Sequence, residues 1–136
     1  MSDNISKQDL AQIAESSLST TPLISSNKMD DFKWKVNLDH VEIQIAIEDR
    51  SGQLSISLYL VVLQLPTQNR AECIAELMNA NFHIQSKYAL FSDFILQIVD
   101  IHQTNFISTE NFVEILNTYA HHVVLLRNDL YLKYYN

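Results

Sequence analysis

The chain has 136 residues, 47% apolar and 18% charged, with a formal net charge of −7. That is the size and balance of one globular domain with one core, long enough to fold without metal or disulfide staples. It holds one glycine and one cysteine, where average usage predicts about nine glycines, which excludes the phosphate-cradling loops of nucleotide enzymes, intramolecular disulfides and thiolate zinc clusters.

Residues 1 to 31 are rich in Ser, Thr, Asn and Asp. The stretch Ser6-Lys7-Gln8-Asp9 resembles a capping box, and Leu10, Ile13, Ala14 and Leu18 follow at helical spacing, predicting a short amphipathic helix over about 7–18. No basic n-region and apolar h-region open the chain, and its longest fully apolar run, Leu58 to Leu63, is far shorter than a membrane span, so a cytosolic protein is expected. Pro22 and the hydroxyl-rich stretches around it predict a linker-like loop over 19–31.

From Phe32 the period changes to two. Phe32, Trp34, Val36 and Leu38, then Val41, Ile43, Ile45 and Ile47, then Leu54, Ile56, Leu58 and Leu60 alternate with polar residues, predicting three antiparallel strands. Asp49-Arg-Ser-Gly52 supplies the turn between the second and third, with Gly52 expected at the one position that needs positive φ.

Asn69-Arg-Ala-Glu72 reads as a second cap, opening a helix with Ile74, Leu77 and Met78 on its apolar stripe and ending near Asn79 to Asn81. Phe82, Ile84, Tyr88 and Leu90 suggest a fourth strand, and Phe94 to Ile101 a fifth that is apolar on both faces, hence central or in contact with a partner. Ser108-Thr-Glu-Asn111 caps a long helix carrying Phe112, Leu116, Tyr119, Val123, Leu126 and Leu130. Residues 131–136 form an aromatic tail that either folds back on the body or is a contact surface. The expectation is a single α+β domain over 1–136, ordered α-β-β-β-α-β-β-α, with a five-stranded antiparallel twisted sheet, three helices and a body over 32–130.

No constellation commits the chain to catalysis, and no cofactor, metal site or nucleic-acid partner is expected. His121 and His122 are adjacent, so on a helix their side chains diverge by about 100°, whereas zinc pairs sit four apart; His40, His83 and His102 stand at strand ends or polar positions. Glu72 and Glu76 share a helix face spaced for acid–base work but opposite the apolar stripe, so they read as a solvated edge. Asp30-Asp31 and Glu48-Asp49 read as loop and turn charges, and Lys33 and Lys35, the densest basic pair, are too few for a phosphate-binding patch. Cys73, flanked by the same two glutamates, should have a raised thiol pKa and no nucleophilic role. Serines are plentiful, but one glycine cannot build a nucleophile elbow. What remains is apolar surface in excess of simple alternation, in Leu58 to Leu63 and in the two-faced strand; either the helices cover it or it meets a partner.

Three local stretches, Glu76-Leu-Met-Asn-Ala-Asn81 leading into Phe82 to Leu90, Phe94-Ile-Leu-Gln-Ile-Val99, and Ser108-Thr-Glu-Asn-Phe-Val113 opening the last helix, together with the element order, carry a family likeness. Over roughly residues 7–130 the acidic chain resembles the class I type III secretion chaperones (the Tir-chaperone, CesT-like family) and the related YbjN-like bacterial domains. Where family members often carry glycines, this chain has Asn79, Asn81 and Ser86. The resemblance implies a cytoplasmic bacterial homodimer that holds the amino-terminal segment of a secreted effector extended, without nucleotide, hydrolysis or membrane insertion; the YbjN likeness implies instead a regulatory or interaction domain. On the chaperone reading, Leu10, Ile13, Ile43, Ile45, Ile56 and Leu58 are the expected effector groove, and Ile74, Leu77, Met78, Phe82 and Ile84 the expected dimer interface.

Overall fold

A computed structural model of the chain describes residues 5–21, 24–80 and 87–135. In chain order these form α1 (Lys7–Ser19), β1 (Ser25–Asp30), β2 (Lys33–Leu38), β3 (Val41–Arg50), β4 (Gln53–Gln64), α2 (Arg70–Ala80), β5 (Lys87–Phe91), β6 (Phe94–Ile101), a 3-10 turn (Thr104–Phe106) and α3 (Thr109–Tyr134). The strands make one antiparallel six-stranded sheet in the order β1-β2-β3-β4-β6-β5.

The sheet therefore has one strand more than the sequence suggests. Ser25–Asp30, expected as loop, pairs along β2 with all six side chains exposed. An edge strand that buries no side chain shows no alternation, so only its backbone ladder marks it. The part of the expected fourth strand over 82–86, with Phe82 and Ile84, lies outside the described residues, and β5 is its remainder.

Local chemistry explains the other elements. Ser6 Oγ accepts from the Asp9 amide at 3.0 Å, capping α1, whose Leu10, Ala14 and Leu18 then recur every fourth residue and are buried. Ser108 and Asn111 close a reciprocal capping box at the start of α3, with the Asn111 amide on Ser108 Oγ (3.2 Å) and the Ser108 amide on Asn111 Oδ1 (2.8 Å). Asn69, read as a cap, does precede α2 and its carbonyl accepts from the Cys73 amide, but its backbone stands left-handed at φ 60°. The β2–β3 and β3–β4 hairpins each use two left-handed residues, Asp39 and His40 at φ 53° and 62°, Ser51 and Gly52 at 57° and 85°, the backbone of type I′ turns that match strand twist. Gly52 thus occupies one of several positive-φ positions; Asp, His, Ser and Asn supply the rest, with Ser92 at 56° opening the β5–β6 turn.

All three helices belong to one side. α1 and α3 pack together over β3 and β4, and α2 lies against the end of α3, where Glu76 accepts from Lys133 Nζ (3.1 Å) and Tyr134 Oη (2.9 Å). Under them sits the core: Trp34, Val36, Ile43, Ile45, Ile56, Leu58, Leu60 and Ile95 from the sheet, Leu10 and Ala14 from α1, Phe112, Leu116, Ala120, Val123 and Leu130 from α3. Each fully buried Leu or Ile contributes about 1.5–3 kcal/mol. α3 runs on through Tyr134, so the aromatic tail continues the helix: Tyr134 meets Glu76 and Tyr135 Oη donates to the Gln64 carbonyl, while Tyr131 and Leu132 stay exposed.

Candidate functional site: the uncovered face and the β1 edge

Among the described residues, no helix lies on the sheet's second face. Cross-strand register places Lys35, Gln44, Tyr59, Ile98 and Lys87 in one outward row and Asn37, Glu42, Val61, Leu96 and Ala89 in the next, with Phe94 and Phe91 paired beyond them. The part of this face on β2 and β3 is polar, whereas Val61, Leu96, Ala89, Phe94 and Phe91 make an apolar patch on β4, β6 and β5, bordered by Ser57, Asp100 and Lys87. A concavity of about 330 Å³ lies where the halves meet, walled by Lys35, Glu42 and Gln44 on one side and Val61, Leu96 and Phe94 on the other. At its rim Phe91 is 71% exposed, beside Phe94 at 43% and Met29 at 54%. Lys35 and Glu42 are joined at 2.8 Å, so the polar wall is internally neutralised.

The apolar half is shaped by a bulge. Val61 pairs with Leu96 and Leu63 with Ile95, leaving Val62 as an extra residue in β4. Arg127 of α3 closes the ladder it disrupts, its guanidinium donating to the carbonyls of Val62 (2.6 Å), Val61 (3.0 Å) and His40 (2.9 Å). Partial burial lowers the Arg127 pKa from its ordinary value, which still leaves it charged. This residue belongs to no sequence motif; its place in an otherwise apolar helix stripe between Val123 and Leu130 is the signal that could have marked it.

A second feature lies at the opposite edge. β1 is an outer strand, and between it and α1 runs a polar groove of about 410 Å³ bordered by Gln12, Glu15, Ser16, Ser26 and Lys28 over Trp34. Lys28 Nζ and Glu15 bridge it at 2.5 Å, and this carboxylate raises the Lys28 pKa.

Most positions that the resemblance assigned to partners lie elsewhere. Leu10, Ile43, Ile45, Ile56 and Leu58 are at most 1% exposed and line the chain's own core, brought together by α1 and the sheet; Ile13 is half-buried against them. On α2, Leu77 is core at 1% exposed, Ile74 is half-buried, Met78 is exposed at 39%, and Phe82 and Ile84 fall outside the described residues. Among the described residues, the apolar side chains a partner can reach include Phe91, Phe94, Val61, Leu96 and Met29 on the uncovered face, Leu90 on β5, Phe106 in the 3-10 turn, and Met78, Leu125, Tyr131 and Leu132 on the helices.

Among the described residues, no three His, Cys, Asp or Glu side chains are placed to hold a metal ion. Cys73 is buried, and desolvation, then the Glu76 charge, push its thiol pKa up, away from a nucleophilic thiolate. Glu76 is half-buried and held by Lys133 and Tyr134, a firmer placement than the solvated edge expected of it, while Glu72 is exposed. No described helix is long and apolar enough to cross a membrane.

No protein-family model and no curated protein matches the sequence. Among solved structures the chain is similar to the type III secretion chaperone SycH of Yersinia pestis, determined in complex with a stable fragment of YscM2; the two are 15% identical, the match covers 86% of this chain and 98% of that one, and the TM-score is 0.59. That likeness, across 98% of the other chain, shows that this α+β chain of three helices and an antiparallel sheet has the fold of the type III secretion chaperones.

Proposed function

We propose that the protein is a homodimeric cytoplasmic chaperone that holds the amino-terminal segment of a type III secreted effector in an extended form, by binding alone. The observation that carries this reading is the whole-domain likeness to a chaperone whose structure includes a bound polypeptide fragment. Two features of this chain support it. The outer strand β1 presents a free backbone edge to which an extended segment can add by main-chain hydrogen bonds, with the groove beneath α1 receiving alternate side chains. The net charge of −7 keeps a chain with so much reachable apolar surface soluble.

The test is to purify the tagged protein from its own secretion-competent host and identify what accompanies it. Stoichiometric recovery of one secreted protein, lost when that protein's amino-terminal segment is deleted, is the expected result. Recovery of the chain with nothing but itself would overturn the reading.

A further inference from the structure

We infer that α2 is a strap that opens from the rest of the fold as a unit, and that Glu76 is the latch holding it shut against the end of α3. The inference does not depend on the chaperone reading.

Little apolar contact holds this helix down. Of its eleven residues Cys73 and Leu77 alone are buried, against four of thirteen in α1. α1 packs on α3, β3 and β1, while α2 packs chiefly on α3. Ser6 and Ser108 cap the starts of α1 and α3 through their side chains, whereas Asn69 ahead of α2 stands left-handed. The Leu65 amide is fixed on the Asp93 carbonyl at 2.6 Å, and the run 67–69 that follows is exposed, so a hinge lies between an anchored strand end and a lightly held helix. Segments with few buried apolar contacts open at a lower free energy than the whole chain unfolds.

What keeps α2 in place is polar. Arg70 donates to Asp93 at 2.7 Å, but both side chains are about half exposed, and such pairs contribute little. Glu76 is better placed, half-buried, with Oε1 accepting from Lys133 Nζ at 3.1 Å and from Tyr134 Oη at 2.9 Å. Asp129 braces Lys133 at 3.2 Å, and the neighbouring Tyr135 donates to the Gln64 carbonyl of β4. The end of α3 is thereby fixed to the sheet, and α2 hangs from it through one carboxylate. Hydrogen bonds to an ionised acceptor are about twice as strong as neutral ones, so the charge of Glu76 sets the opening equilibrium. Opening also takes Cys73 and Leu77 out of the core, which keeps the open form a minor state.

Cys73, the chain's one cysteine and fully buried while α2 is closed, reports the opening. The full chain is treated with excess dithionitrobenzoate, and the labelling rate is followed at low urea beside the global unfolding curve. Labelling should run at least about 10-fold faster than global unfolding allows, with a shallower urea dependence because little surface is exposed. Glu76→Gln should speed it about 10-fold and Tyr134→Phe about 3-fold. Arg50→Gln, which removes an exposed pair on the β3–β4 hairpin, should leave it unchanged. Labelling with the rate and urea dependence of global unfolding, or as fast as in the urea-unfolded chain, would overturn the strap. Equal rates in the wild type, Glu76→Gln and Tyr134→Phe would overturn Glu76 as its latch.

Discussion

The two faces of the sheet are made by the same strands and differ in what covers them. On the helix side, Val36, Ile43, Ile45, Leu58, Leu60 and Ile95 lie under α1 and α3 with almost no exposure. On the other side, Val61, Leu96, Phe94 and Phe91 are as apolar yet meet solvent. Hydrophobicity alone does not distinguish a residue that holds a fold from one that waits for a partner. The difference is which elements cover it: among the described residues, α1, α2 and α3 all lie on the one side.

That contrast can be broken from either face, and the largest effect should come from the covered one. Leu77→Asp buries a charge in the core beneath α2, so the chain should accumulate unfolded or insoluble; recovery as a soluble, folded monomer would place Leu77 at an interface instead. Leu60→Ala, milder, should cost about 2–5 kcal/mol in urea unfolding, because its side chain is fully buried under the helices. Arg127→Met should cost about 2–3 kcal/mol by the same measurement, since it strands three carbonyls at the bulge and hairpin that shape the uncovered face. On the uncovered face itself, Phe94→Ser should shift the unfolding of the monomer by only about 0.5 kcal/mol or less. A large loss there would mean that Phe94 belongs to the core.

Alkaline pH gives a smaller, directional effect at the junction of α3 and β4. Burial, with smaller contributions from Cys73 and Tyr131, pushes the Tyr135 phenol up to about 12. The folded chain therefore keeps a proton that the unfolded chain releases near pH 10. Tyr135 stabilises the fold below that pH, and its contribution is lost as pH rises from about 10 toward 12. Tyr135→Phe should flatten that decline in pH-dependent melting; an unchanged slope would show that Tyr135 is solvated.

Much of this architecture was legible in the sequence, because strands with one buried face and helices with a stripe leave periodic traces. The limits Phe94–Ile101 for the last strand and the Ser108 cap of α3 are as expected from the residues. β1 was not legible, since none of its side chains is buried, and neither was the Val62 bulge, since Leu58 to Leu63 is apolar throughout and a slip of one residue leaves no mark. The candidate site was legible only as excess. Alternation revealed that β6 has two apolar faces, but choosing which one the helices cover requires knowing that α1 and α3 pack together, a long-range contact. For the same reason Leu10, Ile43, Ile45, Ile56 and Leu58 could be read as groove residues, when the structure buries them between α1 and the sheet.

Hydroxyl-radical footprinting of the full chain, alone and with the secreted protein that accompanies it, tests most directly whether the uncovered face is a binding face. Oxidation of Phe91, Phe94 and Met29 should fall in the complex, while Phe106, which is 74% exposed and outside that face, stays equally reactive. Labelling of all four that is the same in both would contradict the account.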